Sequence, residues 1–111
     1  MQHFMKLWAS PFEKIKSGKK TVEMRLNDEK RSLLKIGDEI IFTNIDTNEV
    51  IKCIVINLYK YKDFSELYAH HNKESIGYNA DEEAIPDDML SYYNKDDILK
   101  YGALAIEIKL L

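Results

Sequence analysis

Cysteine, proline and glycine are all scarce in this chain: one, two and four of its 111 residues. A lone thiol, Cys53, excludes an intrachain disulfide, so a packed core has to hold the fold. With so few backbone breakers the chain is neither a low-complexity tract nor a fibrous repeat. Long apolar runs are missing too. The best of them, Ile51 to Leu58, is interrupted by Lys52 and Asn57 and is far too short to span a bilayer. Lys6 breaks the only apolar run near the start, so no signal core is read and a cytoplasmic protein is expected. His70 and His71 are adjacent and His3 is the only other histidine, a poor pattern for zinc; neither metal nor cofactor is expected. Cys53 lies in an apolar stretch and is expected to be an inert buried thiol. Phosphate-binding glycine loops, the dinucleotide fingerprint and the serine elbow are absent as well.

What is present is ordinary for a soluble domain: 45% apolar and 32% charged residues. The length suits one domain with a core of its own. Net charge is −3, which argues against avid, non-specific binding of nucleic acid. The charge is unevenly spread. Residues 1–62 hold 12 basic against 8 acidic groups, whereas residues 63–111 hold 4 against 11. Eight basic and three acidic groups fall between Lys14 and Lys35, a segment able to attract an anion even on an acidic protein or to serve as a solvated face.

Periodicity then places the elements. His3 to Trp8 reads as a first strand. Ser10-Pro11-Phe12-Glu13 reads as a helix start, with Ser10 as N-cap, Pro11 at the first helical position and Glu13 closing a capping box. Gly18 ends that helix. Val22, Met24 and Leu26 alternate with Thr21, Glu23 and Arg25 as a half-apolar strand. A turn or short helix is expected in Asn27 to Leu34, then strands over Glu39 to Asn44 and Val50 to Tyr61. The second of these is β-branched on both faces, which predicts a centre buried on both sides. Asp63, with Glu66 three residues on, caps a further helix. Gly77 to Asp88 carries five acidic residues and reads as an exposed loop or lid. Two helical turns follow, over Pro86 to Tyr93 and Asn94 to Tyr101, and Gly102 leads into a last apolar strand, Ala103 to Leu110. Strands without regular βαβ alternation, wrapped by short helices, predict an α+β domain with a small barrel over residues 1–111.

The run Gly18-x-Lys20-x-x-Glu23-x-Arg25 resembles the Gly-x-Lys-x-x-Glu-x-Arg signature of the ASCH domain family. Lys35 to Phe42 resembles the family's strand-entry motif, and Tyr101 to Ile106 its ending. The resemblance implies a PUA-like β-barrel with a cleft beside the first helix, and RNA as partner. Some small bacterial ASCH proteins are similar to amidohydrolases that remove the acetyl group of 4-N-acetylcytidine with a lysine, a threonine three residues later and a more distant glutamate. The lysine falls on Lys20, the threonine position is occupied by Glu23, and Glu66 and Glu74 are the candidates for the glutamate.

From the residues, Glu23 and Arg25 share a strand face about 7 Å apart. A carboxylate there accepts from an exocyclic amine, and a guanidinium donates to carbonyl or phosphate oxygens. The bland alternative is a surface ion pair worth about 1 kcal/mol at most. The expected ligand site comprises Lys20, Glu23 and Arg25, with Ser17, Gly18 and Trp8 at its rim. If it is catalytic, Lys20 serves as base or oxyanion stabiliser and Glu23 positions water, while Thr21 is a weak nucleophile candidate. Trp8 offers a stacking wall, and Phe12 is read as core. Tyr92 and Tyr93 are read as core residues with wet hydroxyls. Three functions are therefore expected in this order: binding of RNA or a nucleoside, with Lys14, Lys16, Lys30 and Arg31 as outer contacts for RNA; an amidohydrolase on a modified pyrimidine nucleoside; and a protein-interaction module using the acidic half.

Overall fold

Five strands lie side by side in a curled sheet in the computed structural model, which describes residues 1–111. They are β1 (Gln2–Leu7), β2 (Val22–Leu26), β3 (Glu39–Asn44), β4 (Val50–Tyr61) and β5 (Ala103–Leu110), arranged β1-β3-β4-β5-β2. Only β1 and β3 run parallel. The edges β1 and β2 close on each other as a half-barrel, and the Arg25 guanidinium of β2 donates to the Lys6 carbonyl of β1 at 3.0 Å across the seam. Three short helices complete the fold: α1 (Ala9–Lys16), α2 (Phe64–His70) and α3 (Lys95–Tyr101), with 3-10 turns at Arg31–Leu33 and Pro86–Ser91. No helix is long and apolar enough to cross a membrane.

α1 does not start where its sequence signal points. Trp8 occupies the cap and no side chain caps the helix, so the box between Ser10 and Glu13 does not form. β1 stays paired with β3 as far as Leu7 opposite Asn44, and the chain turns straight from the sheet into the helix. Ser10 and Pro11 sit inside the first turn, where the N–H that proline lacks would have no helical partner anyway. α2 and α3 follow their signals: Asp63 and Asn94 accept the Glu66 and Asp97 N–H groups, each at 2.8 Å.

The strand buried on both faces is β5, not β4. Leu104, Ile106 and Ile108 join Phe12, Ile15, Ile40, Phe42 and Val55 in one core cluster, while Ala103 and Ala105 join Val22, Leu26, Phe64, Leu67 and Met89 in a second. Alanine on the second face lets α2 approach β5 closely, and the Pro86–Ser91 turn packs on α2. β4 is buried only at Cys53 and Val55, and Ile56 is exposed. A bulge between Val55 and Asn57 explains this. It shifts the alternation by one residue, so that Leu58 packs on the first cluster and Tyr59 and Tyr61 on the second.

Gly102 joins α3 to β5 at φ +77, where an added Cβ would lie 2.6 Å from the Tyr61 carbonyl oxygen. Gly102→Ala is expected to cost about 2–4 kcal/mol, combining left-handed strain with a backbone clash. Urea unfolding measures this, and an unchanged midpoint contradicts it.

Candidate functional site

The pleat of β2 sends its two kinds of side chain to opposite sides. Val22, Met24 and Leu26 pack on the helix-covered cluster. Glu23 and Arg25 pair across the ladder with Ile106 and Leu104 and therefore face the barrel interior. Gly18, at φ +83, turns the chain after α1, and the Lys20 N–H is held by the Lys14 carbonyl at 3.0 Å. Lys20 then lies beside β2 and donates from Nζ to Glu23 Oε1 at 2.8 Å. Arg25 donates from Nε to Glu23 Oε2 at 2.9 Å, and its Nη2 lies 2.8 Å from the same oxygen as an ion pair.

This is a buried ionic cluster and not a surface pair. Lys20 is 7% exposed and Glu23 3%, with Arg25 half-buried. Burial alone would push the Glu23 carboxyl up, but the charges and hydrogen bonds of Lys20 and Arg25 outweigh it and hold the group below the ordinary carboxylate range. Two cations share one anion, so the cluster carries a net positive charge. Glu23 is the one hydrogen-bond partner of the Lys20 ammonium, which leaves two of its three donors free.

Above the cluster opens a cavity of about 910 Å³. Trp8, Pro11 and Lys14 of the α1 region line one side, and Tyr68, Ile76, Gly77, Tyr78, Asp88 and Tyr93 the other. The acidic loop read as a possible lid thus starts as a wall. Its approach is pinned to β2, since the Ser75 carbonyl accepts from the N–H groups of Thr21 and Val22 at 3.0 and 2.9 Å. Lys14 Nζ donates to the Gly77 carbonyl at 2.6 Å. Gly77, at φ +116, lies against the Lys20 stem, with room for a Cβ only 3.3 Å from Cδ. The ionisable lining is balanced: Lys6, Lys14, Lys20 and Arg25 against Glu23, Glu82, Asp87 and Asp88. Burial pushes the phenols of Tyr68, Tyr78 and Tyr93 up, so all three remain protonated near neutral pH.

The ASCH domain family model matches residues 5–111. The chain belongs to the ASCH domain family. Among solved structures, the hypothetical protein PH0355 shares 32% identity with full coverage of both chains and a TM-score of 0.87. Protein PF0455 from Pyrococcus furiosus shares 32% identity over 100% of this chain and 98% of its own, with a TM-score of 0.77. ASCH from Zymomonas mobilis is 19% identical over 97% of this chain and 66% of its own, with a TM-score of 0.69, and supports the fold. No curated protein matches the chain. The curled sheet with its short helices is the PUA-like α+β architecture of these ASCH domains.

The ASCH signature side chains Lys20, Glu23 and Arg25 converge, and Trp8, 56% exposed, stands at the cavity rim. Ser17 and Gly18 do not reach the cavity. Ser17 turns back to the Lys14 carbonyl, and Gly18 is exposed, with open space where a Cβ would lie. Thr21 is exposed outside the cavity. Glu66 is occupied at the start of α2, accepting the Lys62 N–H, and Glu74 is exposed; neither lines the cavity. Phe12 is fully buried in the core. Tyr93 stacks on Phe64 at 5.9 Å, but Tyr92 is 61% exposed at the rim and is not a core residue. Lys14 lines the cavity, whereas Lys16 pairs with Glu49 and Lys30 and Arg31 lie outside. The histidines separate: His3 contacts Asp38, His70 its own helix backbone and His71 the Tyr61 hydroxyl, and no three metal-ligating side chains converge. Burial pushes the Cys53 thiol up to about 11. The sequence reading of Gly77 to Asp88 as an exposed loop or lid did not assign Tyr68, Gly77, Tyr78 or Asp88 to the site, which they wall. The one local signal was an isolated glycine opening a polar segment.

Because the Glu23 carboxyl is held low, its contribution to stability is present above the ordinary carboxylate value and is lost as pH falls through the lowered one. Glu23→Gln leaves Lys20 and Arg25 without their counter-ion and is expected to cost about 3–5 kcal/mol at neutral pH. The gap from wild type should narrow from about pH 4 downward. Urea unfolding at pH 7 and pH 3 measures both effects. Equal losses at the two pH values would refute the linkage.

Proposed function

We propose that this ASCH domain binds a nucleoside-sized ligand, free or displayed by RNA, in the cavity above Lys20, Glu23 and Arg25. One observation carries this reading: a buried cationic cluster with unspent donors forms the floor of a cavity with aromatic side chains at its rim. A volume of about 910 Å³ accommodates a base and its sugar. Donors from Lys20 suit the carbonyl and ring-nitrogen acceptors of a base edge, and exposed Trp8 and Tyr92 provide faces on which a base can stack.

The charge distribution favours one bound unit over a long strand. Glu82, Asp87 and Asp88 offset the cations at the cavity, and Lys16 is paired with Glu49. A phosphate track needs clustered, unpaired cations. Amidohydrolysis is supported less well. A general base is most effective with a pKa near the working pH, whereas Glu23 is held low between two cations. Glu66 and Glu74 lie elsewhere, and no hydroxyl occupies the position of Glu23.

Thermal unfolding with nucleosides, 4-N-acetylcytidine among them, and with short single-stranded RNAs tests this. A ligand at one hundred times its Kd should stabilise wild type by about 2.7 kcal/mol. Lys20→Ala should abolish the shift, and Trp8→Ala should weaken binding roughly tenfold. A response to RNA alone that collapses with salt would identify the strand as the ligand, and release of acetate from 4-N-acetylcytidine would replace binding by hydrolysis. If no ligand shifts wild type, or Lys20→Ala responds as wild type does, the site assignment fails.

A further inference from the structure

The cavity wall carries a hydrogen-bond chain whose direction can be worked out from proton counting. Tyr68 and Tyr78 bring their hydroxyl oxygens to 2.9 Å, and Tyr78 Oη lies 2.7 Å from Asp88 Oδ2 and 3.2 Å from the Ile85 carbonyl. Tyr68, Tyr78 and Asp88 all line the cavity. A phenol has one proton to donate. Around Tyr78, the Asp88 carboxylate and the Ile85 carbonyl are both acceptors, and the carboxylate contact is the shorter and charge-assisted one. Tyr78 therefore spends its proton on that side. The bond between the two phenols must then run from Tyr68 to Tyr78. Tyr68 is left with lone pairs and no proton for anything in the cavity.

The floor has the opposite character. Both Glu23 oxygens are occupied, by Lys20, the Met24 N–H and Arg25, whereas the Lys20 ammonium has donors to spare. A ligand in this cavity meets an acceptor on the wall and donors below. Cytosine presents an amino donor followed by two acceptors along its pairing edge; uracil presents acceptor, donor, acceptor. Adenine and hypoxanthine differ in the same sense, an amino donor beside a ring acceptor against a carbonyl beside a ring N–H.

We propose that the Tyr68–Tyr78–Asp88 chain locks Tyr68 as the acceptor that faces the exocyclic group of a bound base, and so selects bases carrying an amino group there over their keto counterparts. The inference rests on the nucleoside reading of the cavity and adds its specificity. Tyr68 is the specificity-determining contact, and Tyr78 and Asp88 are positioning residues that act through it.

Isothermal titration of wild type with the pairs cytidine and uridine, and adenosine and inosine, tests the assignment. The tighter-binding pair should show a preference of roughly tenfold for its amino member, the penalty for leaving a buried acceptor facing a carbonyl. Tyr78→Phe frees the Tyr68 proton to point into the cavity, so the preference should fall to near unity or reverse. Tyr68→Phe should also erase it, and provides the check should Tyr78→Phe fail to fold. Equal or keto-favouring binding by wild type overturns the inference, as does a preference that survives whichever variants fold. If none of the four nucleosides binds wild type, the nucleoside reading itself falls, a result distinct from binding without preference.

Discussion

A single carboxylate inside the half-barrel ties together the parts of this domain that would otherwise separate. Glu23 holds Lys20 through one oxygen and Arg25 through the other, and Arg25 reaches on to the Lys6 carbonyl at the facing sheet edge. That last contact matters because β1 and β2 are the two edges of the sheet and share no ladder of their own. The ionic cluster thus does two jobs, closing the seam and presenting positive charge to the cavity. Removing two charges from water is costly, and a buried pair is seldom the most stable filling of a core. Keeping three such groups here is understandable if the spare donors and the net charge have a use that apolar packing would not supply.

The cluster can be held rigidly because its supporting strand is flanked by a strand buried on both sides. β5 places Leu104 and Ile106 next to Arg25 and Glu23, and Ala103 and Ala105 beneath the helices. Motion of the floor would have to disturb both core clusters at once. The bulge in β4 serves the same arrangement by letting one strand contribute to each cluster in turn. Tyr59 and Tyr61 come to the helix side only because the alternation slips after Val55.

Much of this was legible in the residues. The β2 alternation, the ends of β3 and β4, the Asp63 cap and the glycine before β5 are local features, each dictated by a few neighbouring side chains. The Gly-x-Lys-x-x-Glu-x-Arg run, spaced closely enough that its charged groups can meet, pointed to the floor of the site. What could not be read was tertiary. Whether the polar face of β2 meets water or the barrel interior depends on β5, some eighty residues later in the chain. The start of α1 was misjudged because strand pairing through Leu7 overrode a good capping sequence. Assigning double burial to β4 instead of β5 had a similar origin: β-branched residues report strand preference, but the bulge and the helix layer decide which faces are covered.

The cavity wall is the clearest case of distant chain completing a local motif. Ser75 accepts from two successive N–H groups at the start of β2, and Lys14 of α1 takes the Gly77 carbonyl, so α1, β2 and the acidic segment meet at one corner. Gly77 can lie on the Lys20 stem because it has no side chain and adopts a φ that other residues resist. The Gly77 backbone thereby covers the Lys20 stem, and the low dielectric around a lysine only 7% exposed strengthens its contact with Glu23. The same segment then supplies Tyr78 and Asp88. Exclusion of water from the lysine and the polarity of the wall above it are consequences of one chain crossing, so a shift of that crossing would loosen both together.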